Sequence, residues 1–300
     1  MVAIILVNYN GADDTIECIE SLKGLTDDDH KIIVVDNKST DDSEEKLKKS
    51  RQKYDFVLLT SNDNKGFSAG NNAGILYAKE KYDPDYYWLL NNDTIVQVDT
   101  LSELLNGFKM DSPDTGITTA KIYYEKDRSM IWYAGGSFNF KTGRTEHWNY
   151  GMIEQKKPDN EIDRDVTFAS GCCMLIPKNV IRDVGLLNES YFLYEEDTDY
   201  CIRTQRKGYK IRYCPNAVLY HKVSASTGVA SPVSQFYSIR NKYMLISKHF
   251  KGINKAIAYL YTTAQMLNRC IKREVNFKHY IEATRAFLKK DMGKTSVAIK

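Results

Sequence analysis

The chain has 300 residues, 42% of them hydrophobic and 27% charged, which is enough apolar material for one large or two small folded domains and excludes disorder as the main state. Six cysteines, at positions 18, 172, 173, 201, 214 and 270, form no CxxC pair, so a disulfide-stapled secreted scaffold and a zinc ribbon are both set aside and a reducing, cytoplasmic compartment is expected. The net charge of +3 conceals a split, with 28 Lys+Arg against 36 Asp+Glu in residues 1–230 and 14 against 3 in residues 231–300; the acidic body argues against nucleic acid as a partner.

The N-terminus has no basic n-region, and the apolar stretch 256–267 is interrupted by Thr262, Thr263 and Gln265, so neither a signal peptide nor a membrane span is expected. Apolar runs at 2–7, 31–36, 56–60 and 86–90 alternate with helix-like segments at 14–22, 43–53 and 71–81. That βαβα rhythm, apolar without strict alternation, predicts a parallel sheet covered by helices on both faces. Asp13 or Asp14 is expected to cap the first helix and Gly24 to end it. In such sheets chemistry gathers beyond the carboxyl ends of the strands. Those ends read Asn8-Tyr9-Asn10, Asp36-Asn37, Ser61-Asn62-Asp63-Asn64 and Asn91-Asn92-Asp93, and all four are polar. Past residue 115 the pattern turns β-rich (116–124 and 131–140), then polar from 141 to 163. An apolar run at 166–176 follows, then a helix from 178 stopped by Gly185 and another from 196 stopped by Gly208. Strand-like runs at 209–214 and 217–221 flank Pro215, and helical spacing returns from 232 to the end. Two regions are predicted: a catalytic body of 1–230, with halves near 1–115 and 116–230, and a basic helical extension of 231–300. The extension suits an anionic membrane face, or else forms a solvated cap on the body.

Several clusters can carry chemistry. Asp36, ending a strand, can accept from a ribose hydroxyl or a base N–H, or it can cap the next helix, a task open also to Ser39, Asp41 and Asp42. The segment Asn64-Lys65-Gly66-Phe67-Ser68-Ala69-Gly70-Asn71-Asn72-Ala73-Gly74 allows close backbone approach, while the absence of GxGxxG and GxxxxGK[ST] sets aside a nicotinamide dehydrogenase and a P-loop phosphotransferase. Asn91-Asn92-Asp93 offers a single carboxylate of the kind that holds Mg²⁺ together with substrate phosphates, or forms an Asx turn. Glu195-Glu196-Asp197-Thr198-Asp199 opens a helix, where the macrodipole stabilises carboxylates. Asp199 and Arg203 are spaced to pair, leaving Asp197 or a neighbour available as a general base. His221, at a strand end, is a metal ligand or a buried neutral histidine.

Taken together, the strings VNYNG (7–11), VVDNKSTDDS (34–43), NKGFSAGNNAG (64–74), LLNNDT (89–94), GCCMLIPKNVIRDVGLLNESYFLYEEDTDYCIRTQRKGYKIRYCPNAVLYH (171–221) and SIRNKY (238–243) resemble family 2 glycosyltransferases of the GT-A fold, in particular the rhamnosyltransferase-like branch. The resemblance implies an α/β fold with a mostly parallel, Rossmann-like central sheet flanked by helices. It implies a nucleotide-sugar donor held by Asn8, Tyr9, Asn10, Asp36, Asn64, Lys65, Gly66, Gly70, Asn71, Asn92 and Asp93. It places Asn91-Asn92-Asp93 at the DXD position, with Mg²⁺ or Mn²⁺ on Asp93 and His221 and Asn91 as a further ligand, and makes Asp197 the catalytic base of a single inverting displacement. Trp132, Trp148 and Tyr194, in or beside second-half loops, can stack on sugar rings or serve as packing, and with Glu196 they are the acceptor-side candidates. By branch the donor is dTDP-L-rhamnose, with UDP-galactofuranose or a UDP-hexose behind it, and the acceptor is a saccharide or lipid-linked saccharide in cell-surface polysaccharide synthesis. Asn91 in place of the first aspartate weakens the electrostatic grip on a cation. A non-catalytic nucleotide-sugar-binding protein is the alternative of another class, against which Asp93, Asp197 and His221 count. A sugar-phosphate nucleotidyltransferase would need a basic first loop, which Asn8-Tyr9-Asn10-Gly11-Ala12-Asp13 is not.

Overall fold

The structure is a computed structural model that describes residues 1–109, 114–154, 162–223 and 231–295. In chain order its elements are β1 (Val2–Asn8), α1 (Ala12–Leu22), β2 (His30–Asp36), α2 (Ser43–Ser50), β3 (Val57–Thr60), α3 (Phe67–Lys81), β4 (Tyr86–Asn91), β5 (Thr94–Val96), α4 (Thr100–Lys109) and β6 (Thr115–Tyr124). Then come β7 (Ile131–Tyr133), β8 (Gly136–Phe138), β9 (Thr145–His147), β10 (Arg164–Val166), β11 (Cys173–Pro177), α5 (Lys178–Val184), α6 (Glu196–Arg206), β12 (Lys210–His221), α7 (Pro232–His249), α8 (Gly252–Ile271) and α9 (Phe277–Leu288).

The main sheet runs β10-β12-β6-β11-β4-β1-β2-β3, with β5 on β12 and β7 on β6. Its first half, β4-β1-β2-β3, is parallel, and the register puts Asn8 opposite Asp36 and Val7 opposite Asn91. Three polar strand ends therefore meet where the strand order reverses, the usual ligand crevice of an open α/β sheet. The second half is mixed: β11 lies antiparallel to β4 and β6, while β6 and β12 run parallel. The parallel pairing of the mostly parallel sheet expected from the sequence resides mainly in the first half.

Local chemistry explains most departures from the sequence pattern. Gly11 takes the N-cap of α1, so Asp13 and Asp14 sit inside the first turn, where their charge meets the dipole without a side-chain cap bond, and the helix ends at Leu22 before Gly24. The two runs around Pro215 are one strand, β12, with a register shift between Cys214 and Val218; a bulge is where a strand tolerates a residue that lacks an N–H. The run 166–176 divides into β10 and β11, separated by a buried loop that the active site uses. The polar stretch after 141 contains β9, paired with β8. On α3, Gly70 and Gly74 face β1, where an added Cβ would lie 2.7 Å from Val7 Cγ1 and 2.5 Å from Ile5 Cγ2; their lack of side chains lets the helix close on the strand.

The C-terminal helices do not form an independent unit. Met244, Leu245, Ile246 and Phe250 of α7 and the turn after it join the main core, while Phe236, Ile239 and Tyr243 pack with Met266, Ala283 and Ala286 of α8 and α9. The expected boundary at residue 230 lies outside the described residues. Among those described, no helix is long and apolar enough to cross a membrane.

Candidate active site

The donor-side loops are tied to one another before any ligand arrives. Asn8 donates from Nδ2 to Asp36 Oδ1 at 2.8 Å and to Ser39 Oγ at 3.1 Å, and accepts from Thr15 Oγ1 at 2.9 Å. Asp36 also accepts from the Ser39 hydroxyl at 2.6 Å and the Ser39 N–H at 3.0 Å. Both residues are fully buried. The polar atoms that the donor-binding expectation assigns to Asn8 and Asp36 are thus bonded within the loops around the crevice. Tyr9 and Asn10 are exposed above them, and Asn10 Oδ1 accepts from the Thr40 N–H at 2.7 Å. Asn37 donates to Asn64 Oδ1 and to the Gly66 carbonyl. Gly66 has φ of 93°, and a Cβ there would meet the Phe192 carbonyl oxygen at 2.1 Å, so only glycine fits the turn into α3. Lys65 is exposed. Asn71 is buried, donates to the Phe67 carbonyl, and leaves Oδ1 without a partner among the described residues.

The Asn91-Asn92-Asp93 turn is placed by strand pairing. It links β4 to β5, and β5 lies antiparallel on β12 with Thr94 opposite His221, so the last residue of β12 arrives beside Asp93. His221 Nε2 is 3.0 Å from Asp93 Oδ1 and 3.4 Å from Asn91 Nδ2. Asn92 donates to Thr15 Oγ1 at 2.8 Å, joining this turn to the Asn8 network. Trp132 meets His221 edge-on, ring centroids 4.7 Å apart, and so lies at the site. Trp148 is packed against Gly135 and under the Arg164 guanidinium, which gives it a packing role.

A carboxylate oxygen and an imidazole nitrogen in contact are suitable donors for Mg²⁺ or Mn²⁺. No group of three His, Cys, Asp or Glu that could hold a metal exists among the described residues, so these residues fit a cation only as a partial ligand set completed by another molecule's oxygens. His221 Nδ1 is buried without a partner among the described residues.

The base candidate stands at the start of α6. Tyr194 and Glu195 both adopt left-handed backbone, with φ of 70° and 71°, an arrangement that persists only when neighbours enforce it. Asn241 of α7 enforces it by donating to the Leu193 and Tyr194 carbonyls at 2.8 and 3.0 Å, and Lys242 pairs with Glu195 at 2.7 Å. Asp197 is half-buried; its Oδ2 accepts from the Gly171 N–H at 3.0 Å and its Oδ1 from the Thr198 N–H at 2.6 Å. Burial raises its pKa above the ordinary aspartate value, against the pull of those N–H groups. Glu196 is buried, with Oε2 unpartnered among the described residues, and burial followed by the Asp197 charge holds its carboxyl well above the usual range. Asp199 behaves oppositely. Against the burial penalty, the hydrogen bond from His249 and the charges of Arg203 and Lys248 hold it at about 2. It pairs with Arg203 at 2.7 Å, as the spacing predicts.

The two clusters are joined through the loop that interrupts β10 and β11. Gly171 donates to Asp197, and the carbonyl of the next residue, Cys172, accepts the Asn91 N–H at 3.0 Å. Sequence reasoning does not single out Thr15, Asn37, Gly171, Asn241 or Lys242, nor Asn72, whose amide spans to the Leu187 backbone and Glu189. Several stand inside the quoted motifs, which mark importance without distinguishing contact from support.

Residues 3–185 match the profile of Glycosyl transferase family 2. The chain is 31% identical over 222 residues to rhamnosyltransferase WbbL of Escherichia coli K12, covering 72% of this chain and 81% of that protein. It is 25% identical over 267 residues to the low-salt glycan biosynthesis hexosyltransferase Agl10 of Haloferax volcanii, covering 88% and 81%. Among solved structures, the mannosyltransferase PcManGT from Pyrobaculum calidifontis, in complex with GDP-Man and Mn²⁺, superposes with a TM-score of 0.59 at 15% identity, over 96% of this chain and 80% of that one. The central sheet and the helices that flank it have the GT-A glycosyltransferase fold. The chain belongs to glycosyl transferase family 2 and is a hexosyltransferase.

Proposed function

We propose that the chain transfers a sugar with inversion from a nucleotide sugar to a hydroxyl of a saccharide or lipid-linked saccharide, in the synthesis of a cell-surface glycan. The observation that carries this reading is the Gly171-Cys172 bridge. Adjacent residues bind Asp197 on one side and Asn91 on the other, so the base and the Asp93–His221 pair are held in one crevice. Asp197 accepts the proton of the acceptor hydroxyl as that oxygen attacks the anomeric carbon. Its burial-raised basicity suits the task. The Gly171 N–H orients the carboxylate, and the left-handed Tyr194-Glu195 turn presents it. Asp93 and His221, with Asn91 beside them, would hold a divalent cation together with oxygens of the donor diphosphate, and such a cation would supply positive charge to the departing nucleoside diphosphate. Tyr9, Asn10, Asn64 and Lys65 line the nucleotide side, over the platform built by Asn8 and Asp36. Trp132, beside His221, and Tyr194, before the base, face the sugar side.

The donor proposed first is dTDP-L-rhamnose, supported by the identity to a rhamnosyltransferase; UDP-galactofuranose and UDP-hexoses are the alternatives. Incubation with a panel of nucleotide sugars, with Mn²⁺ and with chelator, followed by product analysis, tests both points. Rhamnosyl transfer that stops on chelation is expected. Transfer of another sugar replaces the donor, and full activity in chelator removes the cation from the reading.

A further inference from the structure

Helix α8 is oriented the wrong way round for a core helix. Its inward side is small and partly polar, with Ala258, Thr262 and Met266 buried. Its outward side carries Ile253, Ile257, Leu260, Leu267 and Ile271, exposed by 40% to 81%. Those positions, with the exposed Ala264 between them, follow a three-and-four spacing that places them in a single stripe. A stripe of this length on the surface of a soluble body is unusual unless something covers it. The charge pattern names the cover. Residues 251–273 contain five cations, Lys251, Lys255, Arg269, Lys272 and Arg273, and no Asp or Glu, and Lys251, Lys272 and Arg273 at the two ends are exposed.

We propose that α8 lies on an anionic lipid bilayer, with its isoleucine and leucine stripe in the headgroup and acyl boundary and the terminal cations on lipid phosphates. A positively flanked apolar helix face is the composition that binds such surfaces in the plane of the membrane. A second copy of this chain fits less well, because antiparallel stripes would bring the exposed Lys251 of one copy near Lys272 and Arg273 of the other, where the neighbouring Glu274 is already paired with Arg269. The inference goes beyond the chemistry of the crevice and does not depend on the donor sugar.

The test is flotation of the full-length protein with vesicles of phosphatidylcholine, alone or with about 30% phosphatidylglycerol. Binding to the anionic vesicles at low salt, weaker binding to the neutral ones and release as salt rises are expected. Leu260→Glu with Ile271→Glu should cut the bound fraction by about tenfold or more while thermal unfolding stays in place, since both side chains are exposed; Lys272→Glu with Arg273→Glu should lose the preference for anionic vesicles. Absence of binding in the native protein, or undiminished binding in the Leu260/Ile271 variant, overturns the proposal. A native dimer that the same variant converts to monomer, with no flotation, reassigns the stripe to contact between copies.

Discussion

At the scale of single residues, two adjacent carboxyls, Glu196 and Asp197, are both raised by burial and have different surroundings. Asp197 has two N–H donors and a half-buried position; Glu196 has a buried oxygen with no partner among the described residues. The acidic limb of the rate against pH should therefore lie above the ordinary aspartate range, because the working form is the carboxylate. A limb at or below that range would contradict the assignment. For Glu196 the sign is a stability statement. A carboxyl whose folded pKa is raised stabilises fully below its unfolded value and loses that contribution as pH rises toward the folded one. Glu196→Gln should thus gain stability over the native chain as pH rises above the ordinary glutamate value of 4.5, measured by thermal unfolding at several pH values. On the donor side, Asp93→Ala and His221→Ala should each weaken calorimetric binding of the nucleoside diphosphate in Mn²⁺, with no difference between native and variant in chelator. At this scale the sequence was legible in kind and incomplete in role. The motifs select Asn8 and Asp36 as surely as Tyr9 and Asn10, because residue identity does not record that the first two are buried and the others exposed.

Elements turn those residues into a site through register and turn geometry. The β5–β12 pairing brings His221 to Asp93 across 128 positions of sequence, and no local pattern encodes it; only the resemblance to a family joined the two residues in the sequence. The rhythm of the first half was legible because parallel strands and their helices have short, regular periods. The second half was less so, since a bulge at Cys214/Val218 and a buried loop at 167–172 break the periodicity where the chain serves the site. The left-handed Tyr194-Glu195 turn is held from α7. Asn241→Leu should therefore lower kcat by about tenfold to a hundredfold and leave donor affinity unchanged, and it should displace the acidic limb of the pH profile, which damage confined to packing would not do. Gly66→Ala should cost about 1–3 kcal/mol of stability or displace the Phe192 carbonyl, and should weaken donor binding through the Asn37–Asn64 contact.

For the whole molecule, the charge asymmetry of the sequence is partly an internal pairing. The acidic run 195–199 and the basic tail meet, with Lys242 on Glu195 and Lys248 and His249 on Asp199. Asp199, held at about 2, carries stability that is present above the ordinary aspartate pKa and lost as pH falls through 3.8 toward 2, worth about 2 kcal/mol at neutral pH. Removal of residues 231–300 would strip Met244, Leu245, Ile246 and Phe250 from the main core along with the supports of the base. Point variants on α8 are therefore the informative probe of the tail. In the proposed mechanism one crevice binds the donor at Asp93 and His221 and deprotonates the acceptor at Asp197. The decisive variant is Asp197→Asn, titrated with the active nucleotide sugar and Mn²⁺ and assayed for transfer in the same preparation. Donor affinity close to native is expected, since the amide keeps the shape of the carboxyl, with transfer reduced by about a thousandfold. Turnover within tenfold of native in the folded variant would contradict that mechanism and move the base to Glu196.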